Sequence, residues 1–389
     1  MLTPRYRLRV AVIGTRGLPA THGGVEHAVE ALAREGARAG HDITVYGRRG
    51  YAQEDHGVPG VRQQLLPTLA TKHGEAAVHT FLAVLHILWH RRRYDVVHVH
   101  ATGPALIASV LRLFRIPMVA TIHGMDYERE KWGRVARTVL HLAARVAATV
   151  PDRTIVVSDE LRRNLLERWG RDAICIGNGV DADALQGESE PIAELGGQPF
   201  VLYLGRIVRE KRLDLLLEAY AGLDTDCRLV IAGASGHGDD HADEIAALAA
   251  ADPRIHMVGP RYGAEKNWLL QHARAVVLPS DVEGLPIVVL EALATGRPVL
   301  VSDIPQNLQA ITIDGTRYGR SFAQGDARSL ARELRALLMV GRTWPDPRSA
   351  VAERLDWAAF ARQTEHVYVD VMRARGRQPL IAVPPAITV

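Results

Sequence analysis

The sequence predicts an α/β fold of two Rossmann-like, doubly wound parallel-sheet domains. Three observations carry that expectation. Short β-branched runs alternate with helical patterns, as strand–crossover–strand units require. The alternation stops at a polar stretch containing Gly and Pro, then begins again. The chain also has 389 residues, more than one ordinary core organises.

In the first half, strands are expected at Leu8 to Ile13, Ile43 to Tyr46, Val96 to His100, Met118 to Ile122, Thr154 to Val157 and Ala173 to Ile176. Helical patterns such as Val25 to Ala39 and Leu161 to Arg168 separate several of them. Segment 184–198, with Gly187, Pro191, Gly196 and Gly197, reads as a linker. Strands then resume at Phe200 to Leu204, Arg228 to Ala232, Ile255 to Val258, Ala275 to Leu278 and Pro298 to Val301. This gives domains at 1–183 and 199–355, a last helix at 356–375, and a Pro-rich tail at 376–389.

Composition narrows the function classes. Apolar residues make up 47% of the chain, enough for two cores. A formal charge of +3 is too mild to argue for a nucleic-acid partner. Cys175 and Cys227 sit on expected strands in different halves, so free thiols of a reducing cytoplasm are expected. Met1 to Val10 carries Arg5, Arg7 and Arg9 but leads straight into a strand, unlike a secretory signal. The most apolar window, Ala105 to Ala120, is interrupted by Arg112, Arg115 and Pro117, against a spanning helix.

The most informative stretch is Glu283-Gly-Leu-Pro-Ile-Val-Val-Leu-Glu291. An apolar strand ends, a Gly-Pro turn follows, and Ile287 to Ala294 reads as a helix. A helix start offers unpaired N–H groups and positive dipole to a phosphate. Carboxylates on either side can accept hydrogen bonds from sugar hydroxyls. A second signal lies near the start: Gly14, Gly17 and then Gly23-Gly24 before a helix. Glycines let backbone N–H groups approach an anion. The spacing is not that of the dinucleotide fingerprint. His123 closes an expected strand, and His98 and His100 face one side of another. That pair hints at a metal, but the sequence places no third ligand, so none is expected.

EGLPIVVLEALATGRPVLVSD resembles the C-terminal signature of family 4 of the retaining glycosyltransferases, which have the GT-B fold. Gly205-Arg206 with Glu210-Lys211 is similar to that family's phosphate-gripping element. Ile176 to Asp181 resembles its interdomain Pro-Asn-Gly-Val-Asp segment, with Gly177 in place of Pro. GTRGLPATHGGVEHAVEALA from Gly14 and TIHGMDYEREKWG from Thr121 resemble a subgroup of bacterial rhamnosyl- and other cell-surface polysaccharide transferases.

The resemblance implies two domains facing across a cleft, with the last helix returning to the first. It implies a nucleotide-diphosphate-sugar donor and no separate cofactor. Arg206 and Lys211 would grip the diphosphate, helped by the backbone at Gly23, Gly24 and Gly284. That grip makes a divalent metal unnecessary. Glu283 would orient the sugar, Glu291 would hold the ribose, and Gly284, Leu285, Pro286 and Ile287 would also bind the donor. The base would rest near Arg261 and Tyr262. His123 would meet the sugar. In the front-face mechanism proposed for such enzymes, the leaving phosphate takes the acceptor's proton.

The acceptor is a glycan, a lipid-linked molecule or a small molecule. Phe81 to Trp89 followed by Arg91 to Arg93, and the group Arg129, Lys131, Arg134 and Arg137, would suit peripheral contact with the inner membrane face. The plainer reading, a core helix with solvated arginines, is preferred. A GT-B epimerase, an NAD-dependent oxidoreductase and a non-catalytic binding subunit stay open as alternatives.

Overall fold

The computed structural model describes residues 6–20, 23–69, 74–125, 127, 133–234, 241–339, 345–377 and 380–381. They divide into two compact units, one of Met1–Gly177 with Trp357–Val389 and one of Asn178–Asp356. Thr21, His22, Arg129 and Lys131 lie outside the described residues.

The first unit holds β1 (Arg9–Ile13), β2 (Asp42–Arg48), β3 (Val61–Leu66), β4 (Val96–His100), β5 (Met118–Ile122), β6 (Arg153–Val156) and β7 (Ile174–Cys175). They form one parallel sheet in the order β3-β2-β1-β4-β5-β6-β7. Chain direction across the sheet reverses between β1 and β4, which makes that edge the switch point. The central strands are mostly apolar or β-branched because both faces are covered, with His98 and His100 the buried polar exceptions. The helices used below are α1 (Gly24–Arg38), α2 (Glu75–Trp89) and α3 (Arg134–Thr149). In α1, Ala28, Val29, Leu32 and Gly36 recur at helical spacing and are buried.

The second unit holds β8 (Phe200–Leu204), β9 (Arg228–Ala232), β10 (Ile255–Met257), β11 (Ala275–Leu278), β12 (Val299–Ser302) and β13 (Arg320–Phe322). The parallel order is β10-β9-β8-β11-β12-β13, again with one reversal, between β8 and β11. Its helices include α4 (Leu213–Ala221), α5 (Gly263–His272) and α6 (Ile287–Ala294). The C-terminal α7 (Trp357–Ala374) belongs to the first unit, where it packs on α1.

Segment 184–198, read as a linker, lies inside the second unit. Leu185 and Leu195 are buried there. The Gln271 amide donates to the Leu185 carbonyl at 2.7 Å, and Arg228 to the Leu195 carbonyl at 3.1 Å. The chain passes between units at Gly177–Asn178 and Asp356–Trp357 instead.

The preferred reading of Phe81 to Trp89 as a core helix is also corrected. Only one face of α2, with His79, Thr80, Ala83, Val84 and Ile87, is buried. Phe81, Leu85 and Trp89 lie four residues apart on the outside, and Trp89 is 87% exposed. Among the described residues, no helix is long and apolar enough to cross a membrane.

Candidate functional site

In the second unit the candidate residues gather where β8 and β11 end. After β8 the chain runs through Gly205 and Arg206 to the short turn Arg209–Lys211. Gly233 presses on this loop: a Cβ there would sit 1.9 Å from the Gly205 carbonyl oxygen, so only glycine fits. Tyr203 donates its hydroxyl to the Arg206 carbonyl at 2.7 Å. Burial, with Glu283 nearby, holds the Tyr203 phenol neutral, its pKa well above the ordinary value. The Arg206 guanidinium is half-exposed and approaches Glu210 only to 3.9 Å.

Lys211 is held against the loop after β11. The Asp281 N–H donates to the Glu210 carbonyl at 2.9 Å. Arg212, at a left-handed φ of 50°, donates to Asp281 at 2.9 Å and pairs with Asp214 at 3.1 Å. Those two carboxylates push its pKa further up. Between these crosslinks, Lys211 Nζ donates to Glu283 Oε1, both side chains being largely buried.

Gly284, Leu285 and Pro286 then lead into α6 at Ile287. No side chain caps this helix start. The Asn178 amide donates to the buried Leu285 carbonyl at 2.8 Å, fixing the approach to the helix. One turn in, Glu291 pairs with Lys266 of α5 at 2.8 Å. Arg261 is tied up: it donates to the Val258 carbonyl at 2.9 Å and to Glu265 at 2.6 Å. Tyr262 precedes α5 and is half-exposed. The unit thus presents a loosely paired cation (Arg206), a paired cation and carboxylate (Lys211, Glu283) and an uncapped helix start. Such a surface can accept a phosphate and hydrogen-bond to hydroxyls.

In the first unit the switch point lies between β1 and β4. Gly14 follows β1 at φ 95°, and a Cβ there would sit 2.0 Å from the His100 carbonyl oxygen. Gly23, at φ 83°, is the N-cap of α1, and Gly24 is its first residue; both are exposed. No side chain caps that helix either.

His123, just past β5, is half-buried, and its Nε2 lies 2.9 Å from Nδ1 of His100. Burial lowers the pKa of His123 to about 4 and that of His98 to about 3, and that of His100 well below 6.5. The three imidazoles are therefore neutral at pH 7. Among the described residues, no group of three or more His, Cys, Asp or Glu could hold a metal ion.

Sequence reasoning missed Lys266 and Arg212 as partners of the site, and the contact between His100 and His123. Lys266 meets Glu291 across 25 residues, a pairing that no local spacing encodes. His98 and His100 did carry a signal, their shared strand face, but it pointed to a metal.

Comparison with known proteins follows the same two halves. Residues 22–184 match the family described as Glycosyltransferase Family 4. Residues 187–348 match the family described as Glycosyl transferases group 1. The glycogen synthase of Mycobacterium tuberculosis (strain CDC 1551 / Oshkosh) is 28% identical over 97% of this chain and 98% of its own. The phosphatidyl-myo-inositol mannosyltransferase of Mycobacterium leprae (strain TN) is 30% identical over 72% of this chain and 74% of its own. Among solved structures, Anabaena HepE in complex with UDP and glucose superposes with a TM-score of 0.77 at 16% identity, covering 94% of this chain and all of that one.

Proposed function

The chain belongs to the glycosyltransferase family, and from that premise we propose a retaining transfer of a sugar from a nucleotide-diphosphate-sugar donor. Its fold is GT-B. The acceptor is a glycan, a lipid-linked molecule or a small molecule, in polysaccharide or glycoconjugate synthesis. A cell-surface, rhamnosyltransferase-like role is the narrower form of this reading.

One observation carries it. Arg206, Lys211 and the uncapped start of α6 surround the switch point of the second sheet. Transfer breaks the bond from the anomeric carbon to the diphosphate oxygen, and charge gathers on that phosphate. Two cations, of which Lys211 is fixed by its ion pair, and helix N–H groups lower the energy of that charge where it forms. They leave no task for a divalent ion. The departing phosphate oxygen takes the acceptor's proton, so no side chain need act as base. Glu283, placed by its bond to Lys211, orients the sugar hydroxyls. Glu291, placed by Lys266, accepts from the ribose. Arg261 and Tyr262 flank the base. In the first unit, Gly23 and Gly24 offer backbone N–H groups to the distal phosphate, and His123 meets the sugar.

Support also comes from relatives named as a glycogen synthase and a mannosyltransferase, and from HepE, which was solved with UDP and glucose. The test is a panel of UDP-, dTDP- and GDP-sugars with nucleotide release as readout. Release from one donor, abolished in the Lys211→Ala variant, is expected. No release and no thermal shift with any donor would sink the reading.

Peripheral contact with the inner membrane face is the finer part of the proposal. Its support is the outer stripe Phe81, Leu85 and Trp89, followed by the exposed Arg91, Arg92 and Arg93. Aromatic and apolar tips beside cations suit an anionic lipid surface. Sedimentation with anionic but not neutral vesicles, lost in Trp89→Ala, is expected. Equal sedimentation with both would remove the electrostatic part of the claim.

A further inference from the structure

We propose that His100 is a positioning residue for His123. It selects the tautomer of His123 and leaves that ring a hydrogen-bond donor toward the transferred sugar. The inference rests on the reading above that His123 meets the sugar.

His98 and His100 lie two apart on β4 and project from one face, their ring centroids 4.2 Å apart. His98 is fully partnered. Its Nδ1 lies 2.6 Å from the Tyr368 hydroxyl of α7, and its Nε2 lies 2.7 Å from the Thr121 hydroxyl. It forms a fixed wall behind His100. His100 is itself fully buried, and its ring lies at 22° to that of His123 with centroids 5.2 Å apart, so the two meet edge to edge. Its backbone is fixed too, because its carbonyl closes on Gly14 so tightly that no Cβ fits.

His100 uses only one ring nitrogen. Nδ1 meets His123 Nε2 at 2.9 Å, while the buried Nε2 has no hydrogen-bond partner among the described residues. A bond between two neutral imidazoles needs one N–H and one lone pair. Suppose His123 donated from Nε2. His100 would then accept at Nδ1 and carry its proton on Nε2, as a buried N–H with no acceptor. Suppose instead that His100 donates from Nδ1. Its Nε2 is then a bare lone pair. Orphaned buried N–H groups are rarer in native structures than under-satisfied buried acceptors. The array therefore selects His100 Nδ1–H donating to His123 Nε2.

His123 then carries its proton on Nδ1, and its Nε2 lone pair is already used. It can donate to a sugar oxygen but cannot accept the acceptor's proton. This agrees with a transfer in which the leaving phosphate, not a side chain, takes that proton. It also gives His100 a role: without it, His123 can turn over or change tautomer and lose the donor.

The test combines kinetics with a direct view of the protons in the full-length protein. His100→Phe keeps a buried ring but removes the N–H. We expect kcat to fall about 10- to 100-fold, the scale of a mispositioned contact group, with donor KM changed by less than about threefold. His100→Asn restores an N–H near the Nδ1 position and should recover most of the loss. His100→Gln places its amide further out and should not. Long-range ¹H–¹⁵N spectra should show His123 as the Nδ1–H tautomer in the wild type and as a mixture in His100→Phe. If His100→Phe fails to fold, the Asn and Gln variants decide. Equal kcat in those two variants, or His123 seen as the Nε2–H tautomer in the wild type, overturns the inference. His123→Ala separates the two claims: wild-type turnover there overturns the sugar-contact reading, while the tautomer spectrum still judges the positioning.

Discussion

Lys211 Nζ and Glu283 Oε1 form an ion pair at the carboxyl edge of the second sheet, both side chains largely buried. The cation proposed for the phosphate and the carboxylate proposed for the sugar thus hold each other in the free protein. A donor has to share that pair. The geometry of Glu283 is set before any sugar arrives.

Removing one member leaves the other charged and little hydrated, which is the costly way to break a buried pair. Glu283→Ala should therefore lower both activity and stability, the latter by about 1–3 kcal/mol, less than for a fully enclosed pair. Replacing both residues, as Lys211→Met with Glu283→Leu, should return most of the stability but none of the activity. Urea unfolding of Glu283→Ala, Lys211→Met and the double variant measures this. Additive losses in the double variant would show that the two charges do not interact.

Arg206 offers a contrast. It is half-exposed and only 3.9 Å from Glu210, so little structure rests on it. Arg206→Ala should leave stability within about 0.5 kcal/mol, as at ordinary surface positions. Turnover should nonetheless fall about 10²–10³-fold, as when a donor to transition-state charge is lost. Wild-type turnover would remove Arg206 from the site.

Much of this was legible in the sequence where local chemistry decides the outcome. The expected central strands lie where apolar runs such as Val96 to His100 stand, because both faces of those strands are buried. The edge strands Val61–Leu66 and Arg320–Phe322 were missed. They carry Arg62, Gln63, Gln64 and Arg320, since an edge strand is half-wetted and loses the apolar signal. Segment 184–198 misled because its Gly and Pro residues read as linker, while Leu185, Ile192 and Leu195 are buried and Gln271, Arg228 and Asn267 bond to its carbonyls. The loop bearing Arg206 and Lys211 was singled out by its family resemblance, and that bearing Glu283 by the spacing of Glu283 to Glu291 after an apolar strand. The pairs Lys266–Glu291 and His100–His123 were not, because each joins residues brought together only by the sheet order.

Metal independence follows from the two cations. If Arg206 and Lys211 neutralise the diphosphate, transfer should survive millimolar chelator unchanged. Activity abolished by chelator and restored by Mn²⁺ or Mg²⁺ would show that the charge is met by an ion instead.

The buried histidines give the last expectation, a loss of stability in mild acid. His123 titrates near 4 and His98 near 3 in the fold, and His100 well below 6.5, all because burial disfavours the charged ring. In the unfolded chain each returns to about 6.5. Between those values the unfolded state binds more protons than the folded one, so stability rises with pH there. Their contribution is complete above about pH 6.5 and is lost progressively as pH falls toward 4. Each ring contributes up to about 1.4 kcal/mol per pH unit across that window. The urea midpoint should therefore drop clearly between pH 7 and pH 5, before most carboxylates titrate. His98→Gln, which keeps a neutral polar group beside Tyr368 and Thr121, should flatten the drop by less than about a quarter, since burial also lowers His79 to about 4 and lowers His86 and His256. A midpoint that does not move between pH 7 and pH 5 would mean that these rings are already charged, or hydrated, in the native protein.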